Sequence, residues 1–88
     1  MKYQLQFNNT KLTFKTETQG LNALISKWYY DKFPYRWHND PYGNTVLKDD
    51  FLAEYNKRKL HLIETFQPKL REYGVIQFEG YTLTVVSD

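Results

Sequence analysis

The chain has 88 residues, a length near the lower end of the range for one folded domain, so we expect a single domain over residues 1–88. It has no cysteine, which excludes disulfide bridges and thiolate metal sites and favours a reducing, cytoplasmic setting. The net charge of +2 is too small to indicate nucleic-acid binding by itself. The N-terminus has no signal-like apolar core and no apolar run approaches the ~20 residues of a membrane span, so we expect a soluble protein without membrane contact.

The N-terminal segment predicts a β-hairpin. Tyr3, Leu5 and Phe7 alternate with polar residues, which is the period-2 pattern of a half-buried strand, and the pattern resumes after Asn8-Asn9. A two-residue turn at these asparagines sets a register of Phe7 with Thr10, Leu5 with Leu12 and Tyr3 with Phe14. The apolar residues then share one face, and the other face carries Lys2, Gln4, Gln6, Lys11, Thr13 and Lys15.

The C-terminal segment predicts a second hairpin. A turn at Glu79-Gly80 pairs Phe78 with Tyr81 and Ile76 with Leu83, so the apolar residues again share one face. A three-residue loop with Gly80 in a left-handed conformation is an equally acceptable alternative. The hairpin is retained in both cases.

Two helices are predicted between the hairpins. The 3.6-residue spacing of Leu21, Leu24, Ile25 and Trp28 predicts a helix over about 20–32, beginning near Thr18 or Gly20 and ended by Pro34. A longer helix is predicted from Asp49 or Asp50, acting as capping carboxylates, to Gly74. Pro68 lies inside it, which indicates a kinked helix or two abutting helices. Its apolar seam consists of Phe51, Leu52, Tyr55, Leu62, Ile63, Phe66, Leu70 and Tyr73.

The order ββααββ indicates a two-layer α+β sandwich. Two hairpins joined edge to edge make a four-stranded antiparallel sheet, and its single apolar face can be covered by the two helices. The sequence leaves the order of the strands in the sheet open.

Residues 27–44 are the strongest candidate for a functional surface, since they hold both tryptophans and four of the eight tyrosines. A helix end followed by a loop with two prolines cannot bury all of these rings, so some should stay exposed. Tyr, Trp and Arg are enriched at binding hot spots. The predicted partner-binding residues are Tyr29, Tyr30, Lys32, Tyr35, Arg36, Trp37 and Tyr42.

Two alternatives exist for the same segment. The rings can fold back as a lid on an underfilled core, with their polar tips in water. They can also serve, with Lys27, Lys32, Arg36 and the lysines of the first hairpin, as a stacking platform for single-stranded nucleic acid. Asp31 and Asp40 interrupt these cations, however, and the chain has no RNP-like motif.

No catalytic or metal-binding motif is present, so we expect neither an enzyme nor a cofactor. His38-Asn39-Asp40 is interpreted as a turn rather than a metal site. The basic run at 57–59 is interpreted as solvated helix surface, with Glu54 paired to Arg58 four residues later.

These observations favour a small non-catalytic, intracellular module that binds a protein partner. Its size, lack of cysteine and aromatic content are typical of accessory proteins and inhibitors encoded by phages and mobile elements, which is an analogy of style alone. Homodimerisation through an exposed edge strand is a further alternative, since an open sheet has two edges.

Overall fold

Residues 1–87, the part of the chain that the computed structural model describes, form six strands, two α-helices and two 3₁₀ turns. The strands are β1 (Lys2–Phe7), β2 (Thr10–Phe14), β3 (Trp37–Asn39), β4 (Thr45–Leu47), β5 (Val75–Phe78) and β6 (Tyr81–Val86). The helices are α1 (Glu17–Lys32) and α2 (Leu52–Tyr73), and the 3₁₀ turns are Pro34–Arg36 and Asp49–Phe51. Within these residues, no helix combines the length and apolar character that crossing a bilayer requires.

The main sheet has four antiparallel strands in the order β2-β1-β6-β5. The two hairpins are therefore joined through their inner strands, β1 and β6, with Leu5 opposite Leu83 at the centre. Both leucines are completely buried beneath the helices. The predicted two-layer α+β sandwich is confirmed, and the structure adds the strand order.

The registers of both hairpins are as predicted. The β1–β2 pairing runs from Tyr3 opposite Phe14 to Phe7 opposite Thr10. In the second hairpin Glu79 and Gly80 have φ values of 46° and 88°, and the residues on either side of them pair directly. Two successive positive φ values are typical of a two-residue turn that matches the twist of the strands, so the three-residue loop is not adopted.

Helix α1 begins earlier than predicted. Thr16 caps it: the Gln19 N–H donates to the Thr16 hydroxyl at 3.2 Å, and the Gln19 side chain accepts from the Thr16 N–H at 3.3 Å. This reciprocal capping box satisfies two backbone donors of the first turn. The apolar pattern used for prediction starts only at Leu21, one turn after the cap, and so the predicted start near Thr18 or Gly20 was late.

Helix α2 differs from its prediction at the start and agrees at the end. Asp49 and Asp50 lie in the 3₁₀ turn, and neither that turn nor α2 has a side-chain cap, so the predicted capping carboxylates were wrong. Gly74 ends the helix at φ 73°, as predicted, with its N–H donating to the Leu70 carbonyl at 2.9 Å. Pro68 lies inside one unbroken helix rather than between two, with its ring exposed.

The core lies between the main sheet and the two helices. It consists of Leu5, Leu21, Leu24, Ile25, Trp28, Tyr29, Phe66, Leu70, Ile76, Tyr81 and Leu83. Leu52 and Tyr73, predicted to belong to the apolar seam of α2, are 47% and 68% exposed. A helix of 22 residues is about 33 Å long whereas a strand of six spans about 20 Å, so the ends of α2 overhang the sheet that it covers.

The connection between the helices, predicted as a loop, contains the two-stranded sheet β3–β4, with Trp37 opposite Leu47. The ladder is extended by a bond from the Lys48 N–H to the Arg36 carbonyl at 2.8 Å. Strands of three residues are too short to show a period in the sequence, which explains why this sheet was missed.

Truncating Leu83 to alanine should lower the free energy of unfolding by about 2–5 kcal/mol, since it leaves a cavity at the centre of the β1–β6 pairing. Urea unfolding measures this change. Val86→Ala on the same strand, where the side chain is 37% exposed, should cost far less. Equal losses for the two variants would contradict the central position of Leu83.

Glu17 ties the start of α1 to the end of α2. Its carboxylate accepts from Arg71 Nε at 3.1 Å and Nη2 at 3.0 Å, and also from the Gln67 amide. The hydrogen bonds from Arg71 hold the pKa of Glu17 below its usual value near 4.5. The carboxylate therefore contributes stability above that value, and the contribution is lost as pH falls through the lowered pKa of the folded state.

A Glu17→Gln variant should therefore lose less stability than wild type between neutral pH and about pH 3. Thermal unfolding at a series of pH values measures the difference. Glu72→Gln, an exposed carboxylate on the same helix as Arg71, is the matched control and should follow the wild-type profile. A Glu17→Gln profile parallel to wild type would show that the contact with Arg71 contributes nothing.

Candidate partner-binding site

Of the seven predicted partner-binding residues, three have exposed rings, and the side chains of the others pack or bond within the protein. Tyr30, Tyr35 and Tyr42 are 44%, 60% and 89% exposed. Trp37 is half-buried against the core. The ring surface of residues 27–44 therefore does exceed what the interior holds, but the excess is confined to three phenols.

Tyr29 was wrongly placed among the accessible residues, because it is completely buried. Its ring packs against Phe33, Tyr55 and Trp37, at centroid distances of 5.1, 4.9 and 6.3 Å. The prediction assumed that four residues fill the core face of α1. Tyr29 follows Ile25 by one turn and extends that face to the point where α2 covers it.

Arg36 is also unavailable, because the protein itself occupies its guanidinium. The group lies 4.1 Å from the Phe33 ring centroid and 4.7 Å from that of Phe51. It donates to the Tyr29 hydroxyl at 2.6 Å and to the Glu54 carboxylate at 3.0 Å. The hydrogen bond to Tyr29 and then that to Glu54 raise the pKa of Arg36. These contacts clamp the connection between the helices onto both helices at once.

Lys32 is partly occupied as well. Its ammonium lies 3.7 Å from the Glu79 carboxylate and 5.5 Å from the centre of the Trp28 ring, and its side chain stays 47% exposed. The Trp28 indole N–H donates to the same carboxylate. Through these contacts Lys32 joins the end of α1 to the β5–β6 turn.

Replacing Arg36 by lysine should lower the midpoint of urea unfolding, since an ammonium cannot pack flat between the Phe33 and Phe51 rings as a planar guanidinium can. Lys32→Gln removes a cation from an exposed pair and should change the midpoint little. An Arg36→Lys protein as stable as wild type would show that the internal contacts of Arg36 contribute little to folding. Arg36 would then again be a candidate for binding a partner.

One of the three exposed rings, Tyr30, lines a cavity of about 390 Å³, which we name the aromatic groove. It lies where one flank of α1, the end of β1 and the small β3–β4 sheet converge. Its lining consists of Phe7, Ser26, Lys27, Tyr30, Asp31, Trp37 and Thr45. Of the predicted residues, only Tyr30 and Trp37 belong to it.

The rings of the groove are held by one another. Tyr30 meets Trp37 edge to face at 5.8 Å, and Trp37 is backed by Tyr55 of α2 at 6.2 Å. The Lys27 ammonium lies 5.6 Å from the centre of the Phe7 ring. Edge-to-face packing of this kind restrains the rings, so the groove is largely formed before anything binds.

The charges at the groove balance. Lys27 and Asp31 stand one helical turn apart, so its wall has one charge of each sign. Asp31 accepts a hydrogen bond from the Tyr81 hydroxyl. Burial raises the pKa of Tyr81, and this hydrogen bond raises it further. An aromatic cavity without net charge suits an apolar side chain better than a phosphate.

Sequence reasoning missed Phe7, Ser26, Asp31 and Thr45 as lining residues. The helical spacing of residues 26, 27, 30 and 31 marks a stripe beside the core face of α1, and this signal was present in the sequence. Phe7 and Thr45 reach the groove only through the fold. Conversely, Tyr35 packs at Phe51, and Tyr42 lies in the β3–β4 turn, so neither lines it.

The interpretation of His38-Asn39-Asp40 as a turn is correct only at Asp40, where the turn begins, since His38 and Asn39 lie in β3. One Asp40 carboxylate oxygen accepts from the N–H groups of Tyr42 and Asn44 at 2.9 and 2.8 Å, and the bond from Asn44 is the main reason that the pKa of Asp40 is lowered. In the described part of the chain, no three His, Asp or Glu side chains gather as metal ligands. The predicted pair of Glu54 with Arg58 is present at 3.6 Å.

A second cavity, of about 350 Å³, lies near the N-terminus and the end of α2. Its charged lining residues, Glu17 and Arg71, are bonded to each other. Tyr3 is its one aromatic lining residue, against three in the aromatic groove, which leaves the aromatic groove as the stronger candidate.

Comparison of the chain with protein-family models, with curated proteins and with solved structures finds no match.

Proposed function

We propose that the protein is a non-catalytic binding module that receives an apolar side chain of a protein partner in the aromatic groove. The observation that carries the proposal is the meeting of Phe7, Tyr30 and Trp37 around one cavity at the surface. Tyr and Trp are the residue types that dominate binding energy when they form a restrained pocket of this kind. The cavity of about 390 Å³ is large enough to hold one anchoring side chain.

The charges near the groove favour a protein over a single-stranded nucleic acid. Lys27 faces a ring, Lys32 pairs with Glu79, and Arg36 is clamped between rings and bonded to Glu54. A stacking platform for nucleic acid needs cations that are available to phosphates. The cations beside these rings already have internal partners.

The absence of cysteine suits a module that works in the cytosol, as an accessory or inhibitory protein would that acts by occupying a partner's surface. In this proposal the partner inserts a large apolar residue into the groove, against the rings of Phe7, Tyr30 and Trp37. Contacts around the rim then provide shape complementarity and contribute a minor part of the binding energy.

The test uses peptides selected from a displayed library on the immobilised protein. Tyr30→Ala should weaken the selected peptides by about 2 kcal/mol, roughly thirtyfold, while the melting temperature stays close to that of wild type. Fluorescence polarisation measures the affinity. Tyr30 is the sharper choice because Trp37 also packs against the buried Tyr29, so Trp37→Ala should lower stability as well.

Tyr73→Ala is the matched control, since Tyr73 is 68% exposed on α2 and lies outside the groove. It should leave the affinities unchanged. Selected peptides without a large apolar residue, or peptides that bind Tyr30→Ala as tightly as wild type, would refute the groove as the binding site.

A further inference from the structure

The outer face of the main sheet, which the helices leave open, is mainly polar, and Val75 and Val86 are its apolar residues. Alternation along the strands places the apolar residues of β1 and β6 under the helices and their neighbours on the opposite side. Adjacent rows pair Gln4 with Thr84 and Gln6 with Thr82. On the outer strand, β2, Lys11 stands opposite Gln6. We name this side the outer polar face.

Three of the twelve basic residues lie on this face or at its edge. Lys2 and Lys11 point outward from β1 and β2, and Lys15 follows β2 directly; all three are exposed. Their combined charge exceeds the net +2 of the whole chain, so the remaining side chains are net acidic. Within residues 1–87 none of the three forms a salt bridge.

Acidic residues are placed elsewhere. In the described part of the chain they lie in the two helices, in the 3₁₀ turn at 49–51, and in the turns at Asp40 and Glu79. None of the outward-facing residues of β1, β2, β5 and β6 is acidic or aromatic. The face thus offers cations and neutral hydrogen-bonding groups without any competing carboxylate.

The spacing of the lysines matches a duplex. Lys11 and Lys15 are four residues apart, which is about 13 Å in an extended chain. Lys15 lies one residue beyond the last β1–β2 pair, Tyr3 opposite Phe14, and so lies near the end of the strand pair at which β1 begins with Lys2. Cations therefore stand at both ends of the strand pair, with Gln4 between them and Gln6 beside Lys11, and the major groove of DNA is about 12 Å wide.

We propose that the outer polar face binds double-stranded DNA across the major groove. The lysines would meet phosphates on the two sides of the groove, and the glutamine and threonine side chains would face the base edges, where amides and hydroxyls form hydrogen bonds. A single strand is a poorer match, because base stacking needs aromatic residues and this face has none on its strands. Duplex RNA is a poorer match because its major groove is too narrow and deep.

The test is fluorescence anisotropy with a labelled DNA duplex of about 20 base pairs, titrated between about 50 and 200 mM salt. Wild type should bind with an affinity that falls steeply with salt. The triple variant Lys2→Gln, Lys11→Gln, Lys15→Gln should bind at least about tenfold more weakly at low salt, and its salt slope should be smaller by about 2 to 3. Circular dichroism checks its fold, and Lys11→Gln alone should weaken binding if the triple variant does not fold.

The control is the triple variant Lys48→Gln, Lys57→Gln, Lys69→Gln, which has the same change of net charge at exposed positions outside the sheet. Its affinity for the duplex should stay within about threefold of that of wild type. Equal losses for the two triple variants would overturn the proposal, as would no binding at the lowest salt. Tighter binding of a single strand of equal length, or equal competition by polyglutamate, would also overturn it. Tyr30→Ala should leave duplex binding unchanged, which separates this face from the aromatic groove.

Discussion

The pairing of the first strand with the last is the contact on which the rest of the structure depends. A hairpin of two short strands is only marginally stable alone, and neither terminal hairpin has enough apolar surface to form a core. Joining β1 to β6 makes one sheet, buries Leu5 and Leu83 at its centre, and gives α1 and α2 a common surface to cover. In so small a chain this shared surface accounts for most of the available burial.

The Arg36 clamp determines what the connection between the helices can do. From the sequence, a segment with two prolines and many rings is predicted to be an aromatic loop. Once Arg36 is stacked between Phe33 and Phe51 and bonded to Tyr29, that segment is held against the helices. The small β3–β4 sheet then presents Trp37 beside Tyr30, so Arg36, predicted to bind a partner, instead positions two residues of the proposed groove.

The two proposed surfaces lie on opposite sides of the main sheet, with the aromatic groove on the helical side and the lysines on the open side. On the helical side, rings meet in a groove whose two charges balance. On the open side, lysines and neutral polar residues lie without rings or carboxylates. A partner that seeks apolar contact and one that seeks positive charge would therefore approach from different directions. In these proposals, one small domain could join a protein to a DNA duplex.

Features that depend on neighbouring residues were predictable from the sequence. The hairpin registers, the end of α2 at Gly74 and the pair of Glu54 with Arg58 arise from alternation, turn conformation and helical spacing within a few residues. Three outcomes required the tertiary structure: the burial of Tyr29, the capture of Arg36, and the arrival of Phe7 at the groove. Each depends on which distant element packs against the residue, and a single sequence has no local signal for that packing.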